Sequence, residues 1–255
     1  MTPHAREVES LSIDASDALI AAFPPLGGGR AEAIVRRIDE AVMLGLLHDG
    51  DQLPSELDLA DQFGVANGTI REALRLLREQ GVVDTRRGRG GGSFVRTNDA
   101  AMHSLHFDRL SGMNATELRD LGDEQTAIFA AVARLAAERA APTATDRLRR
   151  LVAALRVAAT PAQRRRAEAR FHIELAVESQ SVRLTHSEVR LQAELGPMIW
   201  LPGHSPDHKE VADRLEAITV SVGAGDSTHA RVEAENHALS CIRTVLTTHM
   251  AIADT

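Results

Sequence analysis

The sequence predicts a mainly α-helical chain: an N-terminal winged helix-turn-helix with a small β-hairpin wing, then a C-terminal all-α antiparallel helical bundle. Three observations carry this. Apolar residues make up 44% of the 255 and aromatics 3%, with one Trp and no Tyr. The core must therefore rest on Leu, Val, Ile and Ala, which favours helices over an aromatic-rich sandwich. Beyond residue 115 every segment between Pro or Gly breaks has helical period and none alternates as a strand does. Before residue 97 three short helical patterns precede R86-R-G-R-G-G-G-S-F-V95, a glycine-rich turn bracketed by apolar pairs.

Residues 1–29 end in P-P-L-G-G-G and are expected to form a mobile arm. From Ala31 a helical stripe runs through Ile34, Ile38, Ala41 and Val42 towards Gly45. D-G-D-Q-L-P-S-E-L-D then reads as a turn and a helix start, with Ser55 as N-cap and Asp58 at capping-box spacing. That helix runs to Phe63 and breaks at Gly64. A third begins near Asn67 and ends at Gln80, closed by Gly81.

On the third helix Ile70, Ala73, Leu74 and Leu77 form a buried stripe, and Arg71, Arg75 and Arg78 face the other way. A charged stripe is usually a solvated face. Here it lies on the second helix of a helix-turn-helix, whose partner in known cases is the major groove. Residues 71–96 hold seven arginines against three acids, a local balance of +4 in a chain whose net charge is −7. The glycines that follow are no phosphate loop: no Lys-Ser/Thr pair and no helix comes after them. A free linker would not be flanked by Val82-Val83 and Phe94-Val95. What remains is a wing, whose glycines let the backbone approach a duplex and whose arginines suit the minor groove.

Residues 98–114 read as a linker. Six helices follow, near 116–140, 143–158, 161–178, 181–201, 207–223 and 226–251, in a domain spanning 115–252. Glu168 and His172 stand at i, i+4, which is metal-ligand spacing and equally that of an ordinary helix pair. The single cysteine, Cys241, excludes an intrachain disulfide. No run reaches the roughly 18–20 apolar residues of a membrane span, so a cytoplasmic protein without a membrane partner is expected.

L53-P-S-E-L-D-L-A-D-Q-F-G-V-A-N-G-T-I-R-E-A-L-R-L-L-R-E-Q-G-V-V, followed by the wing, resembles the winged helix-turn-helix of GntR-family bacterial transcription regulators over residues 30–97. With a helical bundle behind it, the chain resembles the FadR subfamily. The resemblance implies a DNA-binding regulator, a repressor by the family's habit, whose operator binding responds to a small molecule in the bundle. A carboxylate metabolite is the expected effector. Double-stranded DNA with a near-palindromic operator and a second copy of the chain are the implied partners. The DNA-binding set implied is Ser55, Asn67, Thr69, Arg71, Arg75, Arg87, Gly88 and Arg89. Asn67 stands where relatives carry arginine, and is left to cap the helix or to read adenine. Leu57 likewise replaces a family arginine.

Many relatives hold one divalent ion in the bundle through one Asp and three His. Glu168 takes the place of the Asp, and His172 and His237 match two histidines. The third position falls on Leu215, which cannot ligate. The implied metal ligands are thus Glu168, His172 and His237, for zinc, nickel or manganese, and the effector pocket adds Gln125 and Arg134. Gln125 stands where relatives often carry an arginine. Two other readings compete. One is a ligand-independent regulator, or a metal-free one with a pocket remodelled for an acyl-type ligand. The remoter one is a metal-dependent enzyme with a DNA-binding head; no nucleophile–base constellation supports it, and no enzymatic activity is expected.

Overall fold

The computed structural model describes residues 31–44, 47, 49–88, 90–96 and 99–253. The expected arm at 1–29 and the wing residue Arg89 lie outside the described residues. The chain divides into two units, Met1–Asn98 and Asp99–Thr255.

The first unit contains α1 (Ala31–Met43), α2 (Glu56–Phe63), α3 (Asn67–Glu79), β1 (Val83–Arg86) and β2 (Gly92–Val95). Its core takes Ile34, Ile38 and Val42 from α1, Leu59 and Phe63 from α2, and Ile70, Leu74 and Leu77 from α3. These are the positions that helical periodicity marks as buried. Ser55 caps α2 as expected: its hydroxyl accepts from the Asp58 amide at 3.2 Å and donates to the Asp58 carboxylate at 2.7 Å. Gly64 ends α2 at φ 65°, a left-handed conformation that costs glycine no Cβ clash, and its N–H satisfies the last carbonyls of that helix. Asn67 does not cap α3. The N-cap is Ala66, without a side-chain hydrogen bond, and Asn67 is already the first helical residue.

β1 and β2 pair antiparallel, with Val83 opposite Val95 and Arg86 opposite Gly92. A third edge went unforeseen. Residues 50–53 run along β2 through Gly50 N–H to Val95 O, Val95 N–H to Asp51 O and Leu53 N–H to Ser93 O, at 2.8–2.9 Å. D-G-D-Q-L has no alternation to advertise this; its pairing comes from the tertiary neighbour.

The second unit is helical throughout: α4 (Asp99–Gly112), α5 (Ala115–Arg139), α6 (Ala144–Arg156), α7 (Pro161–Glu178), α8 (Val182–Ile199), α9 (His208–Gly223) and α10 (Ser227–Ala253). The segment read as linker, 98–114, is therefore corrected: it contains α4. Its own apolar pattern is weak, and tertiary contacts fix it instead, with Leu110 buried and Arg109 paired to Glu194 of α8 at 2.6 Å. The remaining helices match the six expected within two residues or so at each end. Capping explains two of the starts: Asn114 with Glu117 for α5, and Thr160 with Gln163 for α7, where Pro161 also occupies the first turn.

Within this unit α5 packs on α10 and α7, α6 lies against α7 and α9, and α8 rests on α7. Short connections make sequential neighbours antiparallel. Phe129, Phe171, Leu175, Leu215, Ile218 and Val245 are fully buried in the shared core. Gly122 permits the close approach of α5 and α10, since a methyl group there would collide with Ile242. No helix among the described residues is long and apolar enough to cross a membrane.

Candidate DNA-binding face and buried effector site

The exposed side of α3 carries the arginine stripe, and each arginine already has an acidic or polar neighbour. Arg71 pairs with Glu56 of α2 at 2.9 Å. Arg75 is held from both sides along its own helix, by Glu72 at 2.7 Å and by Glu79. Both Arg75 partners sit at i, i+3 and i, i+4 spacing and were legible in the sequence. The Glu56 partner, fifteen residues away, was not. Such exposed pairs contribute little to stability, about 0–1 kcal/mol each, and exchange readily for phosphates. Arg78 reaches Thr85 of β1 at 3.5 Å. Thr69 is half-buried in the first turn of α3, its amide bonded to Ala66 O at 2.9 Å.

At the wing, Arg87 and Gly88 are exposed at the tip. The tip closes through Gly91 N–H to Gly88 O at 2.8 Å. Any side chain at Gly91 would collide with the Arg86 carbonyl oxygen, so glycine is required there by space. Gln52 braces the tip from outside the hairpin, donating to Gly91 O at 3.2 Å. The Arg86 guanidinium lies over the Phe94 ring at 4.3 Å, which leaves Arg87 as the described arginine projecting at the turn.

The second site is buried in the bundle, and side chains one turn apart on three helices build it. α7 contributes Glu168 and His172, α8 contributes Glu188 and Gln192, and α10 contributes His237 and Cys241; all six are buried. His237 Nε2 is the meeting point: it lies 3.1 Å from His172 Nε2, 3.3 Å from Glu168 Oε1 and 3.5 Å from Cys241 Sγ. Trp200, at the end of α8, donates its indole N–H to Glu168 Oε2 at 2.5 Å, leaving Oε1 for the cluster. On the other flank Glu188 Oε1 sits 2.7 Å from His172 Nδ1 and accepts from Gln125 at 2.9 Å and Gln192 at 3.1 Å. Phe129 stacks on the His172 ring at 3.9 Å.

Several buried polar atoms here have no partner in the protein: Glu188 Oε2, Gln125 Oε1, Gln192 Oε1 and His237 Nδ1. Buried polar atoms without partners are costly, about 1–3 kcal/mol each, and mark places where an ion, a water or a ligand belongs. Burial pushes the His237 imidazole below its ordinary value, so the ring is neutral at pH 7, the form that ligates. Burial alone would raise Glu168, but the His237 hydrogen bond, the neighbouring His237 and His172 imidazoles and, last, the Trp200 hydrogen bond together outweigh it and hold the carboxyl below its ordinary range. Burial and the Glu168 carboxylate push the Cys241 thiol well up.

The structure thus brings Gln125, Glu168, His172 and His237 together in one buried cluster. It leaves out Arg134, which is half-exposed on α5 and paired with Glu138 one turn on at 2.7 Å. Arginine on the outer face of α5 belongs to solvent, since the inward face is taken by Gln125 and Phe129. Glu188, Gln192, Trp200 and Cys241 were missed. Glu168 Oε1, His237 and Cys241 place one oxygen, one nitrogen and one sulfur within 4.8 Å of one another, a donor set able to hold a metal ion.

Residues 30–93 match the family described as bacterial regulatory proteins, gntR family, and residues 125–240 match the FCD domain. A Mycobacterium gastri protein designated RmpR is 46% identical over 194 residues, 74% of this chain and 70% of its own. The chain belongs to the GntR family. The HTH-type transcriptional regulator SmoD of Agrobacterium fabrum is 36% identical over 137 residues, about half of each chain. The fold of Escherichia coli McbR/YncC is similar, with a TM-score of 0.54 at 15% identity, covering 87% of this chain and all of that one. As a GntR protein with an FCD domain the chain is a DNA-binding transcription regulator and not an enzyme. The GntR match contains α3 and the wing up to Ser93. The FCD match opens on Gln125 and contains Glu168, His172, Glu188 and His237, while Cys241 lies one residue beyond it.

Proposed function

We propose that this regulator binds a near-palindromic operator as a cytoplasmic homodimer of FadR type and represses until a small hydroxycarboxylate enters the bundle. The observation that carries the effector reading is the convergence of buried, partly unpartnered polar groups on His172 and Glu188 inside an otherwise apolar core. A divalent ion held by Glu168, His172 and His237 would bind the ligand's carboxylate. The free acceptors on Glu188, Gln125 and Gln192 call for donors, which hydroxyl groups supply. With Gln125 in place of the arginine of relatives, the ion is left as the main anion-binding element of the pocket.

For DNA, Arg71, Arg75, Arg87 and Gly88 form the contact set, with Thr69 at the start of the recognition helix; Arg89, outside the described residues, belongs to the same proposed set. Ser55 keeps its hydroxyl on Asp58 and acts by fixing α2; Asn67 stands at the start of the recognition helix. Arg71→Ala and Arg87→Ala are each expected to weaken binding to a duplex selected by the protein from a random pool. Each should also lower the log–log salt slope by about 1, the signature of a lost phosphate contact. Fluorescence anisotropy across a salt series reads both. An unchanged slope and affinity would remove that arginine from the interface.

The effector reading is tested by a thermal-shift screen of hydroxy acids and their deoxy analogues, followed by operator binding with each hit. A ligand at 100 times its Kd adds about 2.7 kcal/mol. It should also change operator affinity, by a coupling of about 1–3 kcal/mol. A hit that stabilises without altering DNA binding would break the coupling. Stabilisation by acyl compounds alone, in metal-free protein, would transfer the pocket to the apolar alternative.

A further inference from the structure

We propose that Cys241 is a thiolate ligand of the bundle's metal ion beside Glu168 and His237, making the centre selective for thiophilic ions. The inference rests on the metal reading above and extends it with a residue, a ligand chemistry and an ion class. Leu215 is fully buried in the core and offers no donor atom. Cys241 lies one helical turn beyond His237 on α10, so both side chains leave the same face of that helix.

Zinc bonds of about 2.0–2.1 Å to nitrogen or oxygen and about 2.3 Å to sulfur imply ligand–ligand separations of roughly 3.3–3.6 Å around a tetrahedron. The separations found are 3.3 Å for Glu168 Oε1 to His237 Nε2, 3.5 Å for His237 Nε2 to Cys241 Sγ and 3.9 Å for Cys241 Sγ to Glu168 Oε1. Three edges of a coordination polyhedron are therefore present within a few tenths of an ångström. His172 Nε2 lies 3.1 Å from the same His237 nitrogen but outside the set of atoms that are mutually within 4.8 Å.

The surroundings are those of a ligand set. Trp200 holds the far oxygen of Glu168, and Glu188 holds the far nitrogen of His172, the kind of outer partner that orients metal-ligating groups. The two buried carboxyl groups find amides, an indole and imidazoles as hydrogen-bond partners, so a bound cation supplies the charge balance. On coordination the Cys241 S–H bond breaks, sulfur bonds the metal and the proton leaves to solvent, with no change of oxidation state. Sulfur turns the preference of the site towards zinc and away from manganese or magnesium, which prefer oxygen donors.

Cobalt(II) titration of metal-stripped full-length protein tests this. One cobalt per chain should bind with an intense near-ultraviolet thiolate-to-cobalt band. Cys241→Ser should abolish the band and weaken cobalt by at least the roughly 10–100-fold that loss of an outer partner costs. The same variant should narrow the preference for zinc over manganese. Cobalt bound by wild type without the band, or a band unchanged in the variant, overturns the thiolate while the metal site stands. No cobalt binding above that of Glu168→Gln overturns both. Where the variant does not fold, X-ray absorption on zinc-loaded wild type decides without it. One sulfur neighbour at about 2.3 Å supports the assignment, and a shell of nitrogen and oxygen alone rejects it.

Discussion

Glu188→Ala is expected to destabilise the bundle by about 3–5 kcal/mol, the cost of leaving the partners of a buried charged or polar group unpaired. Glu188 is 0% exposed, and one of its oxygens gathers Gln125, Gln192 and His172 from three different helices. Truncation removes the common acceptor and leaves two amide groups and a ring nitrogen facing each other in the core. For a unit of this size the loss corresponds to a fall of roughly 6–20 °C in the bundle's thermal transition. Calorimetry of the full chain measures it. Glu188→Gln, which keeps the shape and one acceptor oxygen, should lose far less. Equal stability of the alanine variant and wild type would mean that water replaces the carboxylate at no cost, and that the network does not hold the helices together.

Asp39→Asn should have the opposite sign and a strong pH dependence. Asp39 sits on α1, its carboxyl raised from the ordinary value near 3.8 to about 7, first by burial and then by the neighbouring Glu40 charge. One of its oxygens has no hydrogen-bond partner. A carboxyl whose folded value exceeds its unfolded value binds its proton more tightly in the native state. Its contribution is then fully present below pH 3.8, declines as pH rises and is gone above about 7. Asparagine mimics the protonated acid at every pH. The variant's first unit should therefore gain up to about 4 kcal/mol at pH 8 and nothing at pH 3.5. Melting curves of both proteins at the two pH values give the comparison, and a pH-independent gain would trace the effect to packing instead.

The helices of both units were legible because their apolar stripes recur with the helical period and their ends carry strong punctuation. Gly64, Gly81, Pro161 and the Ala141-Pro142 break each mark a boundary that the backbone obeys. α4 was not legible, since its helicity comes from Leu110 and Arg109 docking on other helices and not from a stripe of its own. The edge at 50–53 was hidden for the same reason. In the buried site, Glu168 and His172 announced themselves by i, i+4 spacing, and His237 by resemblance. Glu188 lies in H-S-E-V-R-L-Q-A-E-L among other polar residues, where one more glutamate looks like surface. Cys241, the single cysteine of the sequence, has no ligand-type spacing to a second one that would mark it. Arg134 stays outside the cluster because it lies on the wet side of α5, paired with Glu138.

Trp200 is the chain's only tryptophan, there is no tyrosine, and its indole N–H donates to Glu168 at the heart of the buried cluster. The protein therefore carries a built-in optical probe. Any occupant that draws Glu168 away, or tightens its grip on that carboxylate, alters the polarity felt by a single excited ring. Emission can then follow filling of the pocket in real time, with no label attached and with the DNA-binding unit contributing no fluorescence of comparable strength.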